Sequence, residues 1–176
     1  DAIAKYLDLK NGEVYFSGAK VPSEALSMMY NLADCTLNIS DAEGFGLSAM
    51  ESLACETPII ATKTGGLQEQ VTNGETEFGV ALEPTSKAVI GSQEIPWIYE
   101  DRLSEEVVVA AMEKIHNMDK EERELLGHMG SQHVLQNYNM ENFAKQWDKL
   151  LSHTVEKFGS WDTRKNYKSW HLSEVK

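Results

Sequence analysis

The feature that most constrains this chain is the alternation, through its first half, of short apolar β-rich runs with amphipathic helical runs. Strands are predicted at residues 14–17, 35–39, 58–61 and 79–82, with helices over 23–33, from about residue 46, and after residue 66. Strict alternation of this kind is typical of parallel strands joined by right-handed helical crossovers. The sequence therefore predicts an α/β fold with a Rossmann-like parallel sheet flanked by helices.

The second half has a different character. Residues 85–97 carry no clear period and are predicted to form a loop. Helical patterns then fill residues 104–118, 120–136 and 140–158. The last stretch places Trp161, Tyr167 and Trp170 among charged residues, and we expect a partly extended tail that docks through these aromatics.

Charge and hydropathy exclude some classes of function. The formal net charge is -12, from 28 acidic and 16 basic residues, so the cationic surface that binds a phosphate backbone is missing and nucleic acid is not an expected partner. No apolar run approaches the roughly 20 residues that a membrane span needs, and no signal peptide opens the sequence. We therefore expect a cytoplasmic protein without a transmembrane segment. The five histidines have no metal-ligand spacing, so no metal site is expected.

Residues 40–51 contain the candidate ligand-binding and catalytic side chains. Glu43 and Glu51 lie eight positions apart, and Gly44, Phe45 and Gly46 separate the first carboxylate from the helix that carries the second. Glycines let backbone N–H groups turn toward a ligand at a helix start, where unpaired donors and the helix dipole favour an anion. This arrangement suits a diphosphate.

The two carboxylates suggest different contacts. Helical side chains lean toward the N-terminus, so Glu51 can approach the same anion-binding end of the helix. Its helical neighbours are small and largely apolar, and hydrogen bonds from the two hydroxyls of a ribose would satisfy its charge there. Glu43 can reach a group on the far side of the phosphates. Taken alone, either residue could instead be a solvated glutamate near a helix start.

The wider segment resembles a known family. Residues 43–51 resemble the E-x7-E signature of glycosyltransferase family 4 (group 1), whose members have the two-domain GT-B fold, in the form E-G-F-G-L-x-x-x-E. Residues 14–34 resemble its V-x-F-x-G-x-V-P and L-Y-x-x-A-D run, and residues 51–69 resemble E-A-M-A-x-G-x-P-V-V-A-T followed by G-G-x-x-E. Glu56 departs from the pattern by replacing a glycine. The resemblance is strong over residues 8–84 and extends in outline to about 151.

This resemblance implies transfer of a sugar from a nucleotide diphosphate sugar to an acceptor, with retention of configuration and without a metal or other cofactor. It implies that Glu43 is the catalytic-site carboxylate that contacts the donor sugar and that Glu51 holds the nucleotide ribose. The remaining donor-binding residues that it implies are Gly44, Phe45, Gly46, Leu47, Gly65 and Gly66.

It also implies a domain organisation. Residues 1–151 correspond to a partial C-terminal nucleotide-sugar-binding domain that lacks its first strand–helix unit, and residues 152–176 to a helix end and an aromatic tail. The partners implied are the nucleotide-sugar donor, an acceptor that is a sugar, lipid or protein glycan, and a missing N-terminal GT-B domain. The family's Arg and Lys that neutralise the diphosphate have no counterpart in this region, so we expect the chain alone to be inactive.

Other functions remain open at this point. A GT-B epimerase shares the same anion-binding end, and so does a phosphorylase, although no lysine is marked for pyridoxal. A non-catalytic GT-B-like binding or assembly module could keep the fold without turnover. A dinucleotide-dependent dehydrogenase does not fit, because Gly44-Phe45-Gly46 lacks the third glycine of that fingerprint and its ribose acid lies further along the chain.

Overall fold

The centre of the protein is a parallel sheet. A computed structural model describes residues 5–10, 12–165 and 173. Its main sheet has three parallel strands, β1 (Thr36–Asn38), β2 (Ile59–Thr62) and β3 (Val80–Leu82), in the spatial order β1-β2-β3. The predicted α/β architecture is confirmed. All four residues of β2 are buried, as expected for a central strand covered on both faces.

Helices cover both faces of this sheet. The helices with bounds inside the described ranges are α1 (Ser23–Leu32), α2 (Leu47–Ala54), α3 (Leu67–Val71), α4 (Glu105–Asn117), α5 (Lys120–Asn137) and α6 (Met140–Phe158), of which α2 to α5 supply the buried residues that pack with the sheet. Alternate residues of β2 point to opposite faces, so Ile59 and Ala61 pack with α2, α3 and α5, whereas Ile60 packs with α4. None of the helices in the described ranges is both long enough and apolar enough to cross a membrane.

Residues 85–97 form the predicted loop only over 91–97. The segment belongs to an antiparallel hairpin of β4 (Ser86–Ile90) and β5 (Ile98–Arg102), in which Ser86 pairs with Arg102 and Ile90 with Ile98. Most residues of both strands are exposed or half-buried. A hairpin that buries neither face needs no alternation of apolar and polar residues, which is why the sequence showed no period.

The predicted strand at residues 14–17 is absent from the structure. The segment belongs to no helix or strand, and Tyr15 and Phe16 are 85% and 62% exposed. An extended segment becomes a strand only when a neighbouring strand takes up its N–H and C=O groups. Among the described strands, β1 pairs with β2 alone, and its other edge lies open without residues 14–17 against it.

Helix α6 and the described residues after it are largely exposed. None of the described side chains of α6 is buried, although Phe143, Trp147, Leu151 and Val155 follow a helical apolar spacing. Trp161 is 82% exposed, with the Arg164 guanidinium 3.8 Å from its ring centroid. Trp161 therefore does not dock on the described helices, and docking of the aromatic tail on another domain stays a prediction. Tyr167 and Trp170 lie outside the described residues.

A close contact joins α5 to the turn after α2. Glu56, which stands where the related sequences have glycine, has a φ of 59° in the left-handed region, and its Oε1 lies 3.3 Å from His128 Nδ1. A Cβ on Gly127 would lie 1.9 Å from the Glu56 carbonyl oxygen. Helix α5 can therefore approach this turn only because residue 127 has no side chain.

We predict that Gly127→Ala destabilises the protein even though alanine favours a helix. Forcing a methyl group against the Glu56 backbone should cost about 1–3 kcal/mol, whereas helix propensity alone would stabilise by about 1 kcal/mol. Urea unfolding measures the net change. Gly18→Ala is the matched control, because a Cβ there meets no atom of the described residues within 4 Å. A Gly127→Ala variant at least as stable as the parent would contradict the contact.

Candidate functional site

Two loops meet at the carboxyl edge of the sheet, where open α/β sheets bind ligands. The loop after β1 runs from Ile39 to Gly46, and the loop after β2 leads through Gly65 and Gly66 into α3. The Gly66 N–H donates to the Gly44 carbonyl oxygen at 3.1 Å. The structure thus brings together residues 43–47 and 65–66, the stretches that carry the proposed site.

The two glycines at the start of α3 permit this approach. Gly65 has a φ of 48°, and a Cβ there would lie 1.6 Å from the Glu43 carbonyl oxygen. A Cβ on Gly66 would lie 2.5 Å from the Phe45 carbonyl oxygen. Any side chain at either position would push the loop away from α3, so both glycines set the position of the glutamate loop.

Among the described residues, the start of α2 has no side-chain cap, as in helix ends that bind anions. Its N-cap residue, Gly46, is buried and has left-handed backbone angles, φ 89° and ψ 58°. No side chain of the described residues caps this helix end, so backbone N–H groups of the first turn remain for a ligand. Leu47 is 68% exposed, which leaves this turn open to solvent.

Gln70 contacts the glycine-containing loop after β1 from the core side. It was not predicted from the sequence. Its side-chain Nε2 donates to the Phe45 carbonyl oxygen, and the residue is fully buried. It lies between the buried Leu67 and Val71 on the inner face of α3. A polar residue at a helical position that faces the core is the signal that could have identified it.

Glu43 is half-buried, and its Oε1 accepts a hydrogen bond from the Gly44 N–H at 3.0 Å. Glu51 is exposed, and its Oε2 accepts a hydrogen bond from the Tyr30 hydroxyl at 3.0 Å. The small apolar surroundings expected for Glu51 are therefore only part of its environment, since a tyrosine from α1 also reaches it. Solvent has access to both carboxylates.

Tyr30 is a further residue that sequence reasoning missed. Burial raises its pKa to about 12, and the hydrogen bond to the Glu51 carboxylate and the charge of Glu51 add to the effect. The hydroxyl of the buried Thr57 donates to the Tyr30 carbonyl oxygen at 2.8 Å. Tyr30 is thus anchored at its backbone while its hydroxyl holds Glu51.

The cations beside the loop already have partners. The Lys63 ammonium bonds to Glu83. Arg102, brought here by the hairpin, contacts Asp41 Oδ2 at 2.9 Å and Glu100 Oε2 at 2.8 Å, and these carboxylates raise its pKa. Arg102 was not predicted at this site, because the hairpin that carries it was not recognised in the sequence.

Within the described ranges, no three His, Cys, Asp or Glu side chains are grouped so as to hold a metal ion. His133 is buried, stacks on Phe78 with ring centroids 3.9 Å apart, and bonds to the Glu69 carbonyl oxygen at 2.9 Å. His128 is exposed. One ring is therefore a core histidine and the other a surface histidine.

Comparison with known proteins assigns the chain to a family. The family model described as glycosyl transferases group 1 matches residues 3–115, more than half of the chain. The chain belongs to this family. A group 1 relative, the D-inositol 3-phosphate glycosyltransferase of Acidothermus cellulolyticus, is 38% identical over 69 residues, which are 39% of this chain and 15% of that protein.

Solved structures agree with this assignment. The sucrose-phosphate synthase of Thermosynechococcus elongatus matches 89% of this chain and 33% of its own with a TM-score of 0.65 at 27% identity. The C-terminal domain of a glycosyl transferase group 1 protein of Francisella tularensis matches 79% of this chain and 60% of its own with a TM-score of 0.58 at 23% identity, a likeness of fold. This group 1 domain therefore has the fold of the C-terminal half of a GT-B enzyme and spans a third or less of the longer relatives.

We predict that this group 1 domain loses stability between about pH 10 and pH 12 through Tyr30. A pKa raised from 10.0 to about 12 means that folding favours the protonated phenol, so this contribution is complete below pH 10 and is lost as the pH rises toward 12. Tyr30→Phe removes the ionisation and should flatten that part of the curve of unfolding free energy against pH. Tyr99→Phe, at an exposed tyrosine of the hairpin, is the control, and parallel curves for parent and Tyr30→Phe would contradict the prediction.

Proposed function

We propose that this chain is the donor-binding domain of a retaining glycosyltransferase that moves a sugar from a nucleotide diphosphate sugar to an acceptor. The observation that supports the proposal is the uncapped start of α2 at the carboxyl edge of a parallel sheet, with Glu43 before it in the sequence and Glu51 within the helix. Residues 1–151 would form this domain and act together with an N-terminal GT-B domain. Residues 152–176 would be a C-terminal extension.

The diphosphate would lie at the start of α2. Backbone N–H groups of Gly46 and Leu47 and the positive end of the helix dipole would bind its oxygens. The left-handed turn at Gly46 and the contact of Gly66 with Gly44 support this role, because they hold the loop in one conformation before any ligand binds. A site that is already ordered loses less conformational entropy on binding.

Glu51 would hold the ribose. A carboxylate offers about four lone-pair positions, and Tyr30 occupies one of those on Oε2. The remaining positions can accept hydrogen bonds from two neighbouring hydroxyls, which is the arrangement that the ribose 2′- and 3′-oxygens present. Tyr30 would therefore orient Glu51 without competing for the sugar.

Glu43 would contact the sugar that is transferred. The Gly44 N–H holds Oε1, which leaves Oε2 free to accept from a donor-sugar hydroxyl. The reaction would break the bond between the anomeric carbon and the diphosphate oxygen, form a bond from the same carbon to the oxygen of the acceptor hydroxyl, and pass the proton of that hydroxyl to the leaving diphosphate. Backbone N–H groups at α2 would stabilise the negative charge that develops on the leaving diphosphate, with no metal required.

The described cations supply little of that stabilisation. Lys63 and Arg102 already pair with carboxylates, so neither is free to neutralise a diphosphate. We therefore infer that this chain binds nucleotide diphosphates but does not turn over a sugar donor without additional cationic groups. Release of nucleotide from UDP-, GDP- or ADP-sugars by this chain alone would overturn the inference.

We predict that Glu51→Gln weakens binding of the preferred nucleoside diphosphate. Replacing a charged acceptor by an amide that donates toward the hydroxyls should raise Kd by about 10- to 100-fold. Isothermal titration with UDP, GDP and ADP measures the effect. Glu24→Gln, at an exposed glutamate in the first turn of α1, is the control. Equal affinity of the Glu51→Gln variant and the parent would remove Glu51 from the site.

We predict a smaller effect for Tyr30→Phe, because this change removes the orienting hydrogen bond and keeps the carboxylate. Kd should rise by about 3- to 10-fold, which is less than the full value of a hydrogen bond to a charged group because the carboxylate still accepts from the ligand. The double variant Tyr30→Phe with Glu51→Gln should be no weaker than Glu51→Gln alone, since both changes act on one contact. Additive losses would mean that Tyr30 contributes to binding by another route.

A further inference from the structure

The hairpin of β4 and β5 connects two loops at the carboxyl edge of the main sheet. It follows β3, and its base contacts Asp41 in the loop after β1, although β2 lies between these two strands. The Asp101 N–H donates to the Asp41 carbonyl oxygen at 2.8 Å, and the Thr85 N–H donates to the Arg102 carbonyl oxygen at 2.8 Å. The hairpin base is therefore bonded both to the segment after β3 and to the loop that carries Glu43.

Arg102 adds a charged contact to these backbone bonds. Its Nη1 lies 2.9 Å from Asp41 Oδ2, and its Nη2 lies 2.8 Å from Glu100 Oε2. A planar guanidinium can bond to two carboxylates at once through separate N–H groups. Without that cation the two carboxylates would face each other and repel. Arg102 therefore draws the loop after β1 toward the hairpin.

The same loop is bonded to α3 on the other side of Glu43. Asp41 lies two residues before Glu43 in the sequence, and Gly44, one residue after it, accepts a hydrogen bond from the Gly66 N–H. The backbone of Glu43 therefore lies between two attachment points, the hairpin and the start of α3. Loss of either attachment would leave Glu43 more conformational freedom, and a ligand would have to restrict that freedom on binding.

We infer that Arg102 is a positioning residue for the donor sugar, because by holding Asp41 it sets the place of the Glu43 carboxylate. This role rests on the proposed function, in which Glu43 contacts the sugar that is transferred. Arg102 acts through the loop, without touching the donor. Glu51 is held separately, by the Tyr30 hydroxyl. Arg102 therefore affects the sugar end of the donor site and leaves the nucleotide end unchanged.

Titration calorimetry with this chain tests the inference on three matched pairs of ligands: UDP with UDP-glucose, GDP with GDP-mannose, and ADP with ADP-glucose. The pair that the parent binds most tightly is used for the variants. Arg102→Gln should raise the Kd of the sugar nucleotide by about 2- to 5-fold, the range of a partly exposed ion pair. The Kd of the corresponding nucleoside diphosphate should stay the same.

Two further variants show whether the geometry of the guanidinium matters. Arg102→Lys keeps the charge without the two-pronged geometry and should recover part of the loss. Asp41→Asn removes the same ion pair from the loop side and should reproduce the selective loss of sugar-nucleotide affinity. Arg123→Gln is the matched control, because Arg123 is similarly accessible, at 27% against 33% for Arg102, and its partner Asp34 precedes β1 at the opposite edge of the sheet. It should change neither Kd.

The route through Glu43 has its own tests. If Arg102 acts by placing Glu43, adding Arg102→Gln to Glu43→Ala should cause no further loss of sugar-nucleotide affinity. Amide hydrogen exchange needs no ligand, and it should become faster over residues 41–46 in Arg102→Gln than in the parent. The amides of α3 should exchange at the same rate in both proteins.

The outcomes separate this inference from the proposed function. Equal weakening of sugar nucleotide and nucleoside diphosphate in Arg102→Gln, no loss of either, a further loss in the double variant, or unchanged exchange over residues 41–46 would each overturn the positioning role. Those results would leave nucleotide binding at α2 intact. Absence of nucleotide binding by the parent would overturn the proposed function and, with it, the role of Arg102.

Discussion

The backbone contact between the glutamate loop and the start of α3 is the constraint on which the site depends. Gly65 and Gly66 let the carbonyl oxygens of the loop come closer than any side chain would allow, and Gln70 donates to one of the same oxygens, that of Phe45, from inside the core. Because α3 itself packs on β2 and β3 through Leu67 and Val71, the loop takes its position from the sheet. The open start of α2 and the side chain of Glu43 are placed by the same contact.

A second set of contacts fixes the other carboxylate. Buried Thr57 holds the backbone of Tyr30, and Tyr30 holds Glu51, so α1 and the turn after α2 act together on one side chain. That turn contains Glu56 in a left-handed conformation, at a cost of about 1–2 kcal/mol for a residue with a Cβ. The close approach of Gly127 keeps the turn in place. The exposed Glu51 carboxylate is thereby held in place, through Tyr30, by the buried Thr57.

The sequence predicted those parts of the structure whose signal is local. The alternation of strands and helices and the glycine-rich loop between Glu43 and Glu51 both survive in the fold, because periodicity and turn chemistry are written in neighbouring residues. The strand predicted at residues 14–17 lacks a strand to pair with, and the loop predicted at residues 85–97 missed β4, which belongs to a hairpin with two accessible faces. Each of the residues that sequence reasoning missed contacts a residue of the loop or of α2 that is 21 or more positions away in the sequence; they are Tyr30, Gln70 and Arg102. No local sequence pattern predicts contacts over such separations.

The hairpin has an asymmetric relation to the rest of the molecule. At its base, the Asp101 N–H donates to the Asp41 carbonyl oxygen at 2.8 Å, and the Arg102 guanidinium forms an ion pair with the Asp41 carboxylate. Its tip, residues 91–97, is almost entirely exposed. Surface loops tolerate insertion and deletion far better than the elements that carry them. The length and residues of the tip can therefore change during evolution independently of the fold. The two contacts to Asp41 at the base would still keep the neighbouring loop in position.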